Sequence, residues 1–437
     1  MQNTLRTLIV LGLLASAPAF ALDPPSRPGT NAPELAKLGS HAVGVRTLTF
    51  VDKGQADVIG FDPKTGTLPK RDRTLTVDVW YPATPARGAT PDTYAAHMDA
   101  EPPAPPTPFK IPGIAFRDAP FADGRYPLVV VSHGYGNVTV GMSWLTENLA
   151  SKGYVVAAIR HEDSYLNPAG FPTAVLRRPL DIAYVTGELQ RSLGKSGNVD
   201  PTRVALVGYS MGGYGVLTAG GATLDPGSPL MGMVPGGILA PYARGGATRD
   251  AMRAPNVKAV VAIAPAGGAF AAWGATGLQD ITAPLLLIAG DRDLTVDYAS
   301  GARAFFDAAS HANRYLLTFH NGGHALGLGA APPEMKASLW DEDWFEDPVW
   351  RKERLIGIQL HFISAFLDRY VKDDASRSAY LDGLVVESST GTWKDAPANT
   401  PWGAYSPGGE GVTLWKGFQR RHAEGLSLMH QSREGTP

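Results

Sequence analysis

The segment Gly208-Tyr-Ser-Met-Gly212 follows directly on the apolar run Arg203–Val207 and leads straight into the small-residue stretch Gly212–Leu217. A strand that becomes a helix with no loop between them has to bend sharply, and small residues must flank the bend. Gly208 and Gly212 let strand and helix approach without Cβ clashes, so the Ser210 hydroxyl stands exposed above the sheet. The pentapeptide alone recurs by chance. The strand before it and the helix after it make it specific, and Ser210 is the expected nucleophile of a hydrolase.

The rest of the chain alternates strand-like and helix-like segments, which predicts an α/β fold: a mostly parallel central sheet flanked by helices. Arg46–Val51 and Arg73–Tyr81 alternate like early antiparallel strands. Leu128–Ser132 is a continuous apolar run, as expected of a strand buried on both faces. Further strands are expected at Tyr154–Ile159, Arg203–Val207, Lys258–Ala264, Pro284–Ala289 and Tyr315–Phe319. Amphipathic helices are expected at Ser143–Lys152, Pro179–Leu193 and about Arg351–Val371.

Three stretches interrupt this order: 83–125, rich in Pro; 224–256, rich in Gly; and 327–350, with Trp340, Trp344, Phe345 and Trp350 among acidic residues. Loops of this length build lids or substrate walls, or merely decorate the surface. Trp340, Trp344 and Phe345 are candidates for packing against a substrate. The tail 375–437 is expected to pack on the domain surface.

Arg6 precedes the apolar run Leu8–Leu14, and Ala19-Phe-Ala21 has the small-x-small pattern of a cleavage site. Residues 1–21 therefore read as a signal peptide cut after Ala21, and the mature chain as periplasmic or extracellular. That apolar run is too short to span a bilayer, and no other stretch is long enough. The chain has no cysteine, so its core alone must stabilise it. With 39 basic and 41 acidic residues, the net charge of −2 gives no electrostatic case for nucleic acid or an anionic membrane as partner.

A serine nucleophile needs a base, a group that orients the base, and amide donors for the oxyanion. After the strand Leu285–Ala289 comes Gly290-Asp-Arg-Asp293, at the end of a parallel strand where function collects in open α/β sheets. Asp293 is favoured as the orienting acid, because the loop leaves the strand before that carboxylate turns back. Asp291 is expected to make a local turn bond. After the next strand comes His320-Asn-Gly-Gly-His324, and His324 is favoured as base over His320, which still sits at the strand end. The order Ser, Asp, His, each after its own strand, is the order this arrangement requires. The oxyanion donors are expected to be the backbone N–H of Met211 and that of Tyr135, in the loop Ser132-His-Gly-Tyr-Gly-Asn137. His133 is read as a structural hydrogen-bonding residue.

On these residues the chain resembles the α/β-hydrolases, and within them the branch of dienelactone hydrolases and platelet-activating-factor acetylhydrolases. The resemblance rests on Val130–Gly136, on the block from Tyr154 through His161, and on Arg178–Ile182. It extends over Val204–Gly213, Gly290–Asp293 and Gly322–His324, within about residues 70–372. It implies a catalytic domain over 22–374 and a serine esterase or lipase-like enzyme with no metal and no organic cofactor. Two departures matter. Dienelactone hydrolases proper use a cysteine nucleophile, which this chain lacks. The acetylhydrolases carry their acid after the strand preceding Gly290, where this chain reads Ala264-Pro-Ala-Gly-Gly-Ala with no carboxylate. The Tyr135 and Met211 pair is also similar to the oxyanion donors of cutinase-like polyester hydrolases.

The expected function is hydrolysis of carboxylic esters, polymeric or lipid esters included. Two other classes remain: a silent hydrolase scaffold used for binding, and a peptidase, for which no specificity determinant is legible. The ester itself and the oligomeric state are not legible.

Overall fold

The computed structural model describes residues 24–161, 167, 170–393, 411–419 and 421–434. The expected signal peptide, with its cleavage after Ala21, lies outside the described residues. The architecture is a ten-stranded sheet covered by helices on both faces, plus a separate two-stranded hairpin. The strands are β1 (Ala42–Ala56), β2 (Lys70–Ala83), β3 (Thr93–Met98), β4 (Thr107–Pro112), β5 (Phe116–Arg117) and β6 (Tyr126–Ser132). They continue with β7 (Val155–Arg160), β8 (Val199–Tyr209), β9 (Val257–Ile263), β10 (Leu285–Gly290), β11 (Arg314–Phe319) and β12 (Leu426–Gln431). The sheet order is β12-β11-β10-β9-β8-β6-β7-β2-β1-β5, and β3 pairs only with β4. From β7 across to β11 all neighbours are parallel; β2 pairs antiparallel with β7 and β1, β12 antiparallel with β11, and the short β5 parallel with β1.

The continuous apolar runs are explained by burial on two sides. In β6, Val129 and Val131 face one core and Leu128 and Val130 the other, as the pleat requires. The first core is closed by helix α1 (Ser143–Ser151) and the long helix Lys352–Val371; the second by α2 (Gly170–Lys195) and α3 (Met211–Ala219). After β7 the chain crosses back and adds β8 on the far side of β6. The carboxyl ends of β6 and β8 therefore flank the point where the strand order reverses, the place where open α/β sheets bind ligands.

Two helices depart from the sequence expectation. α1 is expected to be amphipathic, yet all nine of its residues are buried. The N-terminal segment covers its polar side: Ser26 donates to Glu147 at 2.6 Å, and Asn148 donates to the Ala36 carbonyl at 2.9 Å. The second departure is α2, expected to begin at Pro179 but starting nine residues earlier with that proline inside it. Pro179 has no N–H to give the Val175 carbonyl one turn back. The Tyr214 hydroxyl on α3 donates to that carbonyl instead, at 3.0 Å. Tyr214→Phe leaves it buried and unpaired, so a loss of about 1–3 kcal/mol in unfolding free energy is expected by urea titration. An unchanged midpoint and slope would mean that the substitution for the missing N–H carries no weight.

Among the described residues, no helix is long and apolar enough to cross a membrane.

Candidate active site

Three loops at the carboxyl ends of β8, β10 and β11 bring Ser210, Asp293 and His324 together. His324 Nε2 lies 3.0 Å from Ser210 Oγ, and His324 Nδ1 lies 2.7 Å from Asp293 Oδ2. Ser210 has φ 53° and ψ −115°, a strained conformation for a residue with a side chain. Its neighbours hold it there. The Ser210 N–H donates to the Ile263 carbonyl at 2.9 Å, while its carbonyl accepts from Tyr214 N–H at 3.1 Å and Ala266 N–H at 3.0 Å.

Asp293 is 3 % exposed and uses its two oxygens for different tasks. Oδ1 accepts the backbone N–H groups of Thr295 (2.9 Å) and Val296 (3.1 Å), which leaves Oδ2 for the imidazole. Because Asp293 accepts at Nδ1, that nitrogen carries the proton, and Nε2 is free to accept from the Ser210 hydroxyl.

The histidine loop is held at successive peptide groups by residues from five different parts of the chain. Asp291 Oδ1 accepts Asn321 N–H (2.6 Å), Arg292 N–H donates to the Gly322 carbonyl (2.9 Å), and Asp347 Oδ2 accepts Gly323 N–H (2.6 Å). The Tyr209 hydroxyl donates to the His324 carbonyl (3.0 Å), Lys352 Nζ to that of Ala325, Gln359 to that of Leu326 (2.9 Å), and Trp144 to that of Gly327 (2.8 Å). Lys352 is buried, and burial pushes its ammonium down to about 8, with Glu346 and Asp347 opposing. Gly290 must be glycine: a Cβ there would stand 2.2 Å from the Gly322 carbonyl oxygen, where the acid loop and the histidine loop touch.

Tyr135 lies in the loop after β6 and Met211 at the start of α3, and these two segments are in backbone contact. A Cβ on Gly212 would lie 1.9 Å from the Ser132 carbonyl oxygen and 2.7 Å from that of His133, so the loop after β6 sits directly on the first turn of α3. Met211 is the first residue of α3, and its N–H has no acceptor within the helix. His133 is buried. Its Nδ1 lies 2.7 Å from the Gly134 carbonyl and its Nε2 accepts His161 N–H at 3.3 Å, so the proton is on Nδ1. Burial, then the charge of Arg178, hold it well below the usual histidine range.

The carboxylate and histidine not favoured as acid and base pair with each other. Asp291 makes no local turn bond; its Oδ2 lies 2.9 Å from His320 Nδ1, and His320 Nε2 lies 3.0 Å from Glu387 Oε2 in the tail. Partial burial disfavours the imidazolium, but the two carboxylates outweigh it and raise the His320 pKa. A raised folded-state pKa stabilises fully below the unfolded value of about 6.5 and is lost as pH climbs through the folded value. The gap in melting temperature between wild type and His320→Gln should therefore be wider at pH 6 than at pH 9. An equal gap at both would show that the bridge carries no charge.

Trp340, Trp344 and Phe345 sit in the 327–350 segment, which is tied to the histidine loop from outside. Asp347 Oδ1 accepts Trp350 N–H at 2.7 Å, and Trp350 Nε1 donates to the His320 carbonyl at 2.9 Å. Phe345 is fully buried with its ring edge-on to Phe109 at 5.8 Å; Trp344 is half-buried against the same core, and Trp340 is half-buried. Sequence reasoning missed Phe171 and Phe270, two members of a different aromatic arc. Tyr135 packs edge-on to Phe171 (5.5 Å between centroids), and Phe171 packs against Phe270 (5.9 Å). All three are half-buried. Phe270 lies in the turn that follows Ala266, whose N–H binds the Ser210 carbonyl. Phe171 and Phe270 lie in Gly-, Ala- and Pro-rich stretches without periodicity, which left no signal to read. Among the described residues no group of three or more His, Asp or Glu side chains is placed to hold a metal ion.

The PET hydrolase-like family model matches residues 119–225, which span the loop after β6, α2 and the turn at Ser210. The chain has an α/β-hydrolase fold. It is 25 % identical over 207 residues to a cutinase of Thermobifida alba, which covers 47 % of this chain and 55 % of that protein. A bis(hydroxyethyl) terephthalate hydrolase of Streptomyces coelicolor is 24 % identical over 205 residues, covering 46 % and 52 %. The chain thus spans about half the length of these curated relatives. A solved ferulic acid esterase from Streptomyces cinnamoneus aligns with a TM-score of 0.48 and 21 % identity, over 79 % of this chain and 92 % of that one.

Proposed function

We propose that this α/β-hydrolase cleaves carboxylic esters through Ser210, His324 and Asp293, with a covalent acyl-enzyme intermediate. The observation that carries the reading is one imidazole bridging a serine hydroxyl at 3.0 Å and a buried carboxylate at 2.7 Å. His324 Nε2 takes the Ser210 proton as Oγ attacks the ester carbonyl, and Asp293 stabilises the imidazolium. The N–H groups of Met211 and Tyr135 receive the oxyanion, where each donor is worth roughly 3–4 kcal/mol of barrier. His324 then protonates the departing alcohol, and water releases the acid by the same steps. Residue chemistry alone sustains this cycle, so no metal or organic cofactor is called for.

An aromatic or polymeric ester is the substrate class favoured. The half-buried arc of Tyr135, Phe171 and Phe270 supports it, because ring faces there can stack on an aryl group. Relatives named as cutinases and as a terephthalate-ester hydrolase point the same way. The export reading of residues 1–21 belongs to this proposal and is tested by N-terminal sequencing of the mature chain.

A panel of aryl esters of graded acyl length, bis(hydroxyethyl) terephthalate and an amorphous polyester film tests both parts. Aryl and terephthalate esters should turn over and Ser210→Ala should not. Absence of turnover on every ester would favour a silent binding scaffold. Turnover confined to aliphatic esters would remove the aromatic preference.

A further inference from the structure

The amide of Tyr135 can serve an oxyanion only if the loop after β6 holds it in one orientation. Glycines at 134 and 136 leave that orientation loose. Arg178, on α2 and 1 % exposed, reaches this loop from behind. Its Nη1 donates to Ser132 Oγ at 3.1 Å and to the His133 carbonyl, and its Nη2 donates to the Gly134 carbonyl at 3.1 Å. The Gly134 carbonyl also receives His133 Nδ1–H at 2.7 Å.

In a trans peptide plane the C=O of one residue and the N–H of the next point in opposite directions. Pinning the Gly134 carbonyl toward α2 therefore turns the Tyr135 N–H away from α2. We propose that Arg178 is the positioning residue of the oxyanion site: its planar guanidinium fixes two consecutive carbonyls and so aims the Tyr135 amide. This inference rests on the esterase reading of Ser210, His324 and Asp293.

The guanidinium is itself held by a buried polar chain. Ser132 accepts from Arg178 and donates to His161 Nε2 at 2.9 Å. His161 Nδ1 lies 3.3 Å from Asp181 Oδ2, and Asp181 takes a two-pronged bond from Arg73 at 2.8 and 2.7 Å. Burial, then Arg178 and Arg73, push His161 well below its ordinary range, so it is neutral and its Nδ1–H donates to Asp181. Both Nη groups of Arg178, the Ser132 hydroxyl and His161 Nδ1–H each meet an acceptor, and such satisfied bonds are what let buried polar groups fix a backbone. A lysine at 178 keeps the charge but loses the rigid fork that spans two carbonyls.

The test uses Arg178→Met and Arg178→Lys on the full chain with an aryl ester. Active sites are counted by the endpoint of a serine-directed phosphonate, which normalises for any unfolded fraction. A boronic acid, whose tetrahedral adduct places an oxygen in the oxyanion site, reads the site itself. Arg178→Met should lose on the order of 100-fold in kcat per counted site with KM little changed, as for loss of one oxyanion donor. Boronic acid affinity should fall by a similar factor, since both read tetrahedral geometry. Arg178→Lys should fall between that and wild type.

Wild-type kcat per counted site in Arg178→Met would overturn the proposal. A fall in kcat with unchanged boronic acid affinity would do the same. Should wild type itself neither hydrolyse esters nor take up the phosphonate, the esterase reading falls and this inference with it. Turnover and labelling in wild type with unaltered Arg178 variants sinks the positioning role alone.

Discussion

Replacing Ser210 with Ala is expected to lower ester hydrolysis by on the order of 10⁶-fold, the loss seen when a triad serine is removed and only binding and oxyanion contacts remain. The fold should be almost untouched. The turn at 210 is held by backbone bonds to Ile263, Tyr214 and Ala266, none of which uses the hydroxyl. Alanine meets the same φ of 53° with the same Cβ. The check is kcat on a short-chain aryl ester beside a urea titration. Residual turnover within about 100-fold of wild type, or a large drop in midpoint, would contradict the role assigned to this hydroxyl.

Asp293→Asn should cost about 10⁴-fold in kcat, because the amide no longer enforces the tautomer with the proton on Nδ1 and offers no charge to the imidazolium. Asp291→Asn is the contrasting variant, two residues away on the same loop. Asp291 binds His320 and the Asn321 amide and does not touch His324. It should leave most of the turnover in place while narrowing the pH-dependent stability that the His320 bridge provides. The reverse pattern, with Asp291→Asn dead and Asp293→Asn active, would exchange the two roles. Measuring kcat for both variants at one pH, with melting curves at pH 6 and pH 9, separates site from scaffold.

The central strands were legible because β6 to β11 are buried on both faces and so read as unbroken apolar runs. The elements that escaped are those whose sequence reflects other partners. The β3–β4 hairpin carries Pro108 and Pro112 and stands apart from the main sheet, so it shows no clean alternation. The start of α2 was hidden by Pro179, whose missing donor is supplied by a tyrosine 35 positions further along the chain. The polar face of α1 reads as solvated, but Ser26 and Ala36 cover it.

The same division holds at the site. Ser210, Asp293 and His324 stand beside glycines at strand ends, and a chain-order rule links them. Arg178, Lys352 and Gln359 are polar residues in helices, the first two beside other charged residues, and look like solvent-facing positions. Their partners are backbone carbonyls of the loop after β6 and of the histidine loop, which no side-chain pattern encodes. The Tyr135, Phe171 and Phe270 arc is assembled from a loop, the first turn of α2 and a distant turn, so spacing along the chain carries no trace of it.

The central claim is that one serine, activated by His324, attacks the ester. Incubation of wild type and Ser210→Ala with a serine-directed aryl phosphonate, followed by intact mass and peptide mapping, tests it most directly. The expected result is one adduct per wild-type chain, on the peptide containing Ser210, formed in step with loss of esterase activity, and none on Ser210→Ala. An adduct mapped to another residue, or esterase activity that survives full labelling of Ser210, would contradict it.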